Sequence, residues 1–146
     1  PGTVLTARTG GMWTNGPTRL PDQCSAVPPA WDTSRGLCLD GVDIDHGFFS
    51  WTGGAVVSWP KIPPSTADGS MPWGMSLSVE ADPLFSHLLI YSPPDEEYVC
   101  VEPVSHMTNA LNHMKEPGAG ICVLFPGNHL SGCVTFRVNR NIPLVC

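Results

Sequence analysis

The segment YVCVEPVSHMTNALN, residues 98–112, sets a carboxylate, Glu102, behind an apolar run and ahead of a cluster of Ser, His, Thr and Asn. Proline cannot donate to a strand ladder, so Pro103 predicts that the strand stops or bulges there and turns its last side chains toward a rim or cleft. A carboxylate at such a rim is placed to act as a general base, and a solvated strand-end glutamate is the plain alternative. His106 stands four residues further on and shares that rim, where an imidazole can give or take a proton near neutral pH.

A second cluster is GVDIDHGF, residues 41–48. On a strand Asp43 and Asp45 share one side, with Ile44 and His46 on the other. Two close acids can divide acid and base roles or bind a cation, but the sequence supplies no third ligand for calcium, and a turn-and-cap role competes with both readings. Asp45 near Phe48 and Trp51 also suits a sugar, because aromatic faces stack on C–H groups while a carboxylate accepts hydroxyl hydrogens. The five tryptophans, Trp13, Trp31, Trp51, Trp59 and Trp73, fit such a site or a core. His46, His87, His113 and His129 each read as structural. Asp95, Glu96 and Glu97, in the Pro-rich turn SPPDEEY, read as a solvated acidic loop.

No nucleophile elbow, phosphate-binding glycine loop or dinucleotide fingerprint occurs, so nucleotide cofactors have no support. The six cysteines lie far apart, with no Cys or His spacing suited to zinc, and no metal site is expected. Cys100 and Cys122 sit in apolar runs and read as buried, reduced thiols of a cytosolic protein, with a disulfide framework, which belongs more to small secreted chains, as the alternative.

These side chains need a scaffold. At 146 residues the chain has the length of one domain, taken as residues 1–146. Sixteen Pro and 15 Gly, about a fifth of the chain, favour short strands and many turns. The net charge of −6 has no basic cluster to oppose it, which argues against nucleic acid and anionic membranes as partners. No apolar run reaches the ~18 residues of a membrane-spanning helix, and no signal-peptide pattern is present.

Residues 1–40 are loop-rich, with at most short strands. From Gly41 onward seven short apolar or alternating segments follow: 45–51, 55–60, 75–81, 87–92, 98–103, 121–125 and 133–138. MSLSVEA and CVTFRV alternate and predict one buried and one wet face, while HLLIYS and ICVLF are continuously apolar, as strands covered on both faces are. SHMTNALNHMK, residues 105–115, could hold a short helix capped by Ser105 or Thr108. The expected fold is all-β, an antiparallel sandwich or barrel-like stack.

Three separated segments together resemble the aldose 1-epimerase, or galactose mutarotase, family. They are VPPAWDTSRG with LDGVDIDHGFFSWTGG (27–54), YSPPDEEYVCVEPVSHMTNALN (91–112) and LFPGNHLSGCVTFRV (124–138). The resemblance implies a galactose mutarotase-like supersandwich and an isomerase that interconverts the α and β anomers of a hexose. By the matching positions Glu102 is the catalytic base on the C1 hydroxyl, while a separate acid protonates the ring oxygen. Asp45 would bond the sugar hydroxyls, and Trp51 and His106 complete the expected substrate-binding set. Such chemistry needs no metal or organic cofactor.

The matched motifs belong to the family's C-terminal half, and the H-x-Y-F segment that resembles its acid histidine is absent. The expectation is therefore a partial mutarotase beginning mid-domain at Pro1, with exposed sheet edges that could pair two copies into a homodimer. A non-catalytic carbohydrate-binding sandwich, or a fragment lacking the general acid, is the alternative. The absence of clustered Arg or Lys argues against phosphorylated sugars. A cytoplasmic location is expected.

Overall fold

The computed structural model describes residues 2–62, 73–116 and 118–140. The strands are β1 (Val4–Ala7), β2 (Gly11–Asn15), β3 (Pro21–Ser25), β4 (Leu37–Cys38), β5 (Ile44–Phe49), β6 (Gly54–Ile62), β7 (Trp73–Ala81), β8 (His87–Ser92), β9 (Cys100–Val104) and β10 (Val134–Arg140). They form two five-stranded sheets, ordered β10-β7-β6-β1-β4 and β3-β2-β5-β8-β9, in which every pairing is antiparallel. The chain is thus an antiparallel β-sandwich. Helical structure among the described residues is confined to two 3-10 turns, Pro29–Trp31 and Ala110–His113.

Alternation builds the interior. Leu5, Ala55, Val57 and Val79 point inward from the first sheet, and Met12, Ile44, Phe48, Leu88 and Ile90 meet them from the second. Each fully buried large side chain contributes about 1.5–3 kcal/mol relative to exposure. Trp51 closes this core at one end; it is 5% exposed and its indole N–H donates to the Gly54 carbonyl at 3.0 Å.

A second, smaller core lies on the outer face of the second sheet. There residues 105–116 and 118–121 lie over Trp13 and Phe49, burying Met107, Ala110 and Ala119. Two donors fasten them: Trp13 Nε1–H and the His87 ring both bond the carbonyl of Gly118, at 3.1 and 2.7 Å. Gly120 has φ +75°, and a Cβ there would stand 2.6 Å from His87 Cε1 and 2.7 Å from the Ser105 carbonyl, so only glycine lets the segment lie this close.

Several local expectations change. The loop-rich stretch 1–40 holds four short strands, within what its sequence allows. ICVLF is not a strand: residues 121–125 have no regular structure, and Val123, Leu124 and Phe125 are exposed. Cys122 is exposed with them and Cys100 is half-buried, so neither is a fully buried thiol. SHMTNALNHMK forms a 3-10 turn rather than a capped helix, because Asn109 enters it at φ +66° and no side chain caps it. In β10 the alternation does not bury a face. Phe136 pairs with the buried Val79 and faces inward with it, yet it is 59% exposed because β10 is the outermost strand of its sheet.

Candidate functional site

The outer face of the second sheet carries the candidate residues. Since Ile44 and Phe48 of β5 and Leu88 and Ile90 of β8 point into the core, their alternate neighbours point out. The register sets Gly47, Leu89 and Glu102 abreast on β5, β8 and β9. One pleat along, Asp45, Tyr91 and Cys100 form the next row on that face. Glu102 and Asp45 are both exposed, and the structure brings them to one surface with a single strand between them.

Pro103 does not end its strand. β9 runs through it to Val104, with Pro103 opposite Leu88. The reason is position: among the described residues β9 is the edge strand of its sheet, where proline is tolerated. Glu102 therefore owes its outward placement to strand alternation rather than to a stop.

A cleft of about 480 Å³ opens over this face, lined by Gly47, His87, Leu89, Glu102, Ser105 and His106 among others. Leu89 and Gly47 make an apolar floor, and the turn after β9 makes a polar wall. Among the described residues no side chain bonds the Glu102 carboxylate, which leaves it available to a ligand. Asp45 does not line this cleft; it stands two residues along β5 from Gly47, with Asn15 Nδ2–H donating to its backbone carbonyl at 3.0 Å.

The histidines divide. His106 lines the cleft and is exposed; its Nδ1 lies 2.9 Å from the Met107 carbonyl and so carries the proton, which turns Nε2 outward as an acceptor when neutral and a donor when charged. His87 is 3% exposed, donates from Nε2 to Gly118 and accepts at Nδ1 from the Ser86 hydroxyl, 2.9 Å away. Burial holds His87 below the usual imidazole range; the Gly118 carbonyl opposes this, and His106 adds to it. His46 turns to the core side of β5, its ring tilted against that of Trp31 with centroids 4.8 Å apart, and its buried Nδ1 has no partner among the described residues. Burial lowers its pKa too, against the pull of Asp45, the Trp13 backbone and Asp43.

Trp51 does not join this surface, since it is packed into the main core. Asp43 precedes β5 without regular structure and is exposed, so it forms no strand pair with Asp45. Two contributors escaped sequence reasoning. His87 reads as structural from sequence, and Gly47 carries no signal there. The available signal for the first was the Gly-Ala-Gly run 118–120, where small residues permit close approach to rings.

A larger cleft, about 700 Å³, lies at the end of the sandwich beside Asp40, Trp59, Glu96, Glu97 and Tyr98. It offers carboxylates without an imidazole, and Asp40 is already committed to the Gly2 N–H at 2.7 and 2.9 Å. The smaller cleft, which sets a free carboxylate opposite histidines, is the better chemical candidate. Among the described residues no three His, Cys, Asp or Glu side chains converge on a metal position, and no helix is long and apolar enough to cross a membrane.

No protein-family profile matches the chain, and no curated protein matches it. Among solved structures it is similar to a crystal structure from Escherichia coli K12 provisionally named an aldose 1-epimerase, with a TM-score of 0.71 and 22% identity. The alignment covers 95% of this chain and 46% of that one, so the chain spans about half the length of its structural neighbour. At this identity the likeness establishes the shared fold.

Proposed function

We propose that this chain carries the base side of an aldose 1-epimerase site, a cofactor-independent isomerase that interconverts the anomers of a hexose. The observation that carries the reading is the free, exposed Glu102 carboxylate on the floor of a cleft whose wall holds His106, on a fold shared with a protein named for that activity. Glu102 takes the proton of the C1 hydroxyl as the C1–O5 bond breaks, and an acid delivers a proton to O5. The ring opens to an aldehyde, C1 rotates, and the reverse transfers close it as the other anomer. Asp45, one row away on the same face, accepts hydrogen bonds from the hydroxyls at the far side of the ring. No step requires a metal or an organic cofactor.

His106 binds at the C1 end and can supply the acid only as an imidazolium, because its Nδ1–H is given to Met107. His87 is a poor acid, being buried and bonded at both nitrogens. That scarcity favours a second reading, a carbohydrate-binding sandwich that holds a sugar without turning it over. The proposed partners are an aldose and, through exposed edge strands such as β9 and β10, a second copy of the chain; nucleic acid and membrane are not among them. A cytoplasmic location suits the free state of Cys24, Cys38, Cys100, Cys122 and Cys133.

Polarimetry of freshly dissolved α-D-glucose and α-D-galactose tests the proposal. Faster relaxation in the presence of the chain supports the isomerase. Binding without acceleration supports the second reading, and a folded sample that does neither overturns both.

A further inference from the structure

Gly47 sits inside β5, where glycine weakens a strand and offers nothing to pack. Its φ lies outside the left-handed region, and a Cβ built on it would meet no atom within 4 Å. Neither backbone conformation nor close packing therefore calls for glycine. What its missing side chain does leave is space, in the cleft that Glu102 lines. A glycine in a strand interior often marks the close approach of a ligand.

Resting on the mutarotase reading above, we infer that Gly47 determines which aldoses the cleft accepts, by leaving room for the exocyclic C6 hydroxymethyl of a hexose. Adjacent strands lie about 4.8 Å apart, so Gly47 and Glu102, abreast across β8, are separated by about 10 Å at Cα. A pyranose with its C1 hydroxyl at Glu102 lies with its C–H face on Leu89, and its far edge, C4 with the C6 hydroxymethyl that projects from C5, over Gly47. Asp45 stands two residues along the same strand on the same face, outside the cleft lining but nearest that end. A side chain at 47 would occupy the C6 position while leaving the C1 end untouched.

The test uses the 146-residue chain and its Gly47→Ala and Gly47→Val variants. Titration calorimetry compares D-glucose with D-xylose and D-galactose with L-arabinose, pairs that differ only in the C6 hydroxymethyl. The expected result is a hexose-to-pentose affinity ratio that falls about tenfold in Gly47→Val, with Gly47→Ala between it and the parent. Thermal unfolding of each variant confirms that the strand persists; if Val lowers the midpoint, the Ala ratio carries the test. A ratio within threefold of the parent's, or an equal loss for both sugars, overturns the role of Gly47 while leaving the mutarotase reading intact. A parent chain that binds none of the four sugars overturns both.

Discussion

Glu102 and Asp45 face the same way from strands that flank β8, one opposite Leu89 and the other opposite Tyr91. The pair is therefore offset both across the sheet, by two strand spacings, and along it, by one pleat. Such a separation suits a ligand of sugar size with distinct ends, and it keeps the two negative charges from sharing one proton. Each carboxylate can then have its own role, which single substitutions can separate.

Glu102→Gln keeps the shape of the side chain but cannot accept a proton. Acceleration of sugar relaxation is expected to fall by about 10²- to 10⁴-fold, with sugar affinity by calorimetry changed only a few-fold. Polarimetry at equal concentrations of parent and variant decides it, and full rate in the variant would remove Glu102 from the base role.

Asp45→Asn should act on binding first. A carboxylate that accepts hydroxyl hydrogens contributes more than an amide does, and hydrogen bonds to charged groups are worth about 1.5–3 kcal/mol. Affinity is expected to drop by roughly tenfold, carrying the rate at low sugar concentration down with it. Unchanged affinity and rate together would show that Asp45 does not reach the ligand.

Trp13 joins the sheet to the segment that walls the cleft. Trp13→Phe removes the Nε1–H that bonds Gly118 together with part of the ring's volume, and the carbonyl keeps His87 as a donor. The cost in a urea titration is expected to be about 2 kcal/mol, roughly 1 for the hydrogen bond and the rest for the space left. Trp13→Ala also empties a 0%-exposed site and should cost about 3–5 kcal/mol. Equal losses in the two variants would mean that the ring's volume contributes little and the second core is not packed as described.

What was legible in the sequence follows from which signals are local. Period-two alternation in MSLSVEA, within Trp73–Ala81, and the apolar run His87–Ser92 identify strands because each segment's own pattern decides its pairing face. Glu102 and Asp45 were legible as candidates because both stand next to apolar strand residues. Their shared face was not, since it depends on a register between strands more than forty residues apart. Trp51 was assigned to the site because an aromatic near an acid suits either a sugar or a core, and only packing distinguishes them. ICVLF misled for a similar reason: an apolar run records a tendency to be covered, while coverage depends on the rest of the fold. Pro103 read as a stop because sequence does not tell an edge strand from a central one.

The pH dependence of stability isolates His87. Its burial disfavours the imidazolium in the folded chain, so its folded pKa lies below the 6.5 of the exposed group. Above about pH 6.5 neither state holds the extra proton and the contribution is fully present. As pH falls below 6.5 the unfolded chain takes up a proton that the native state resists, and stability declines until the folded pKa is passed. His46, lowered chiefly by its own burial, adds a slope of the same sign. Urea midpoints at pH 8, 7, 6 and 5 should therefore be level at the top of the range and fall through the lower half. His87→Gln retains an amide that can donate to Gly118 but has no proton to gain, so its midpoint should be lower at pH 8 and decline less steeply toward pH 5. A variant whose midpoint falls in parallel with the parent's would place the titration elsewhere, and His46→Gln would then be the next substitution to measure.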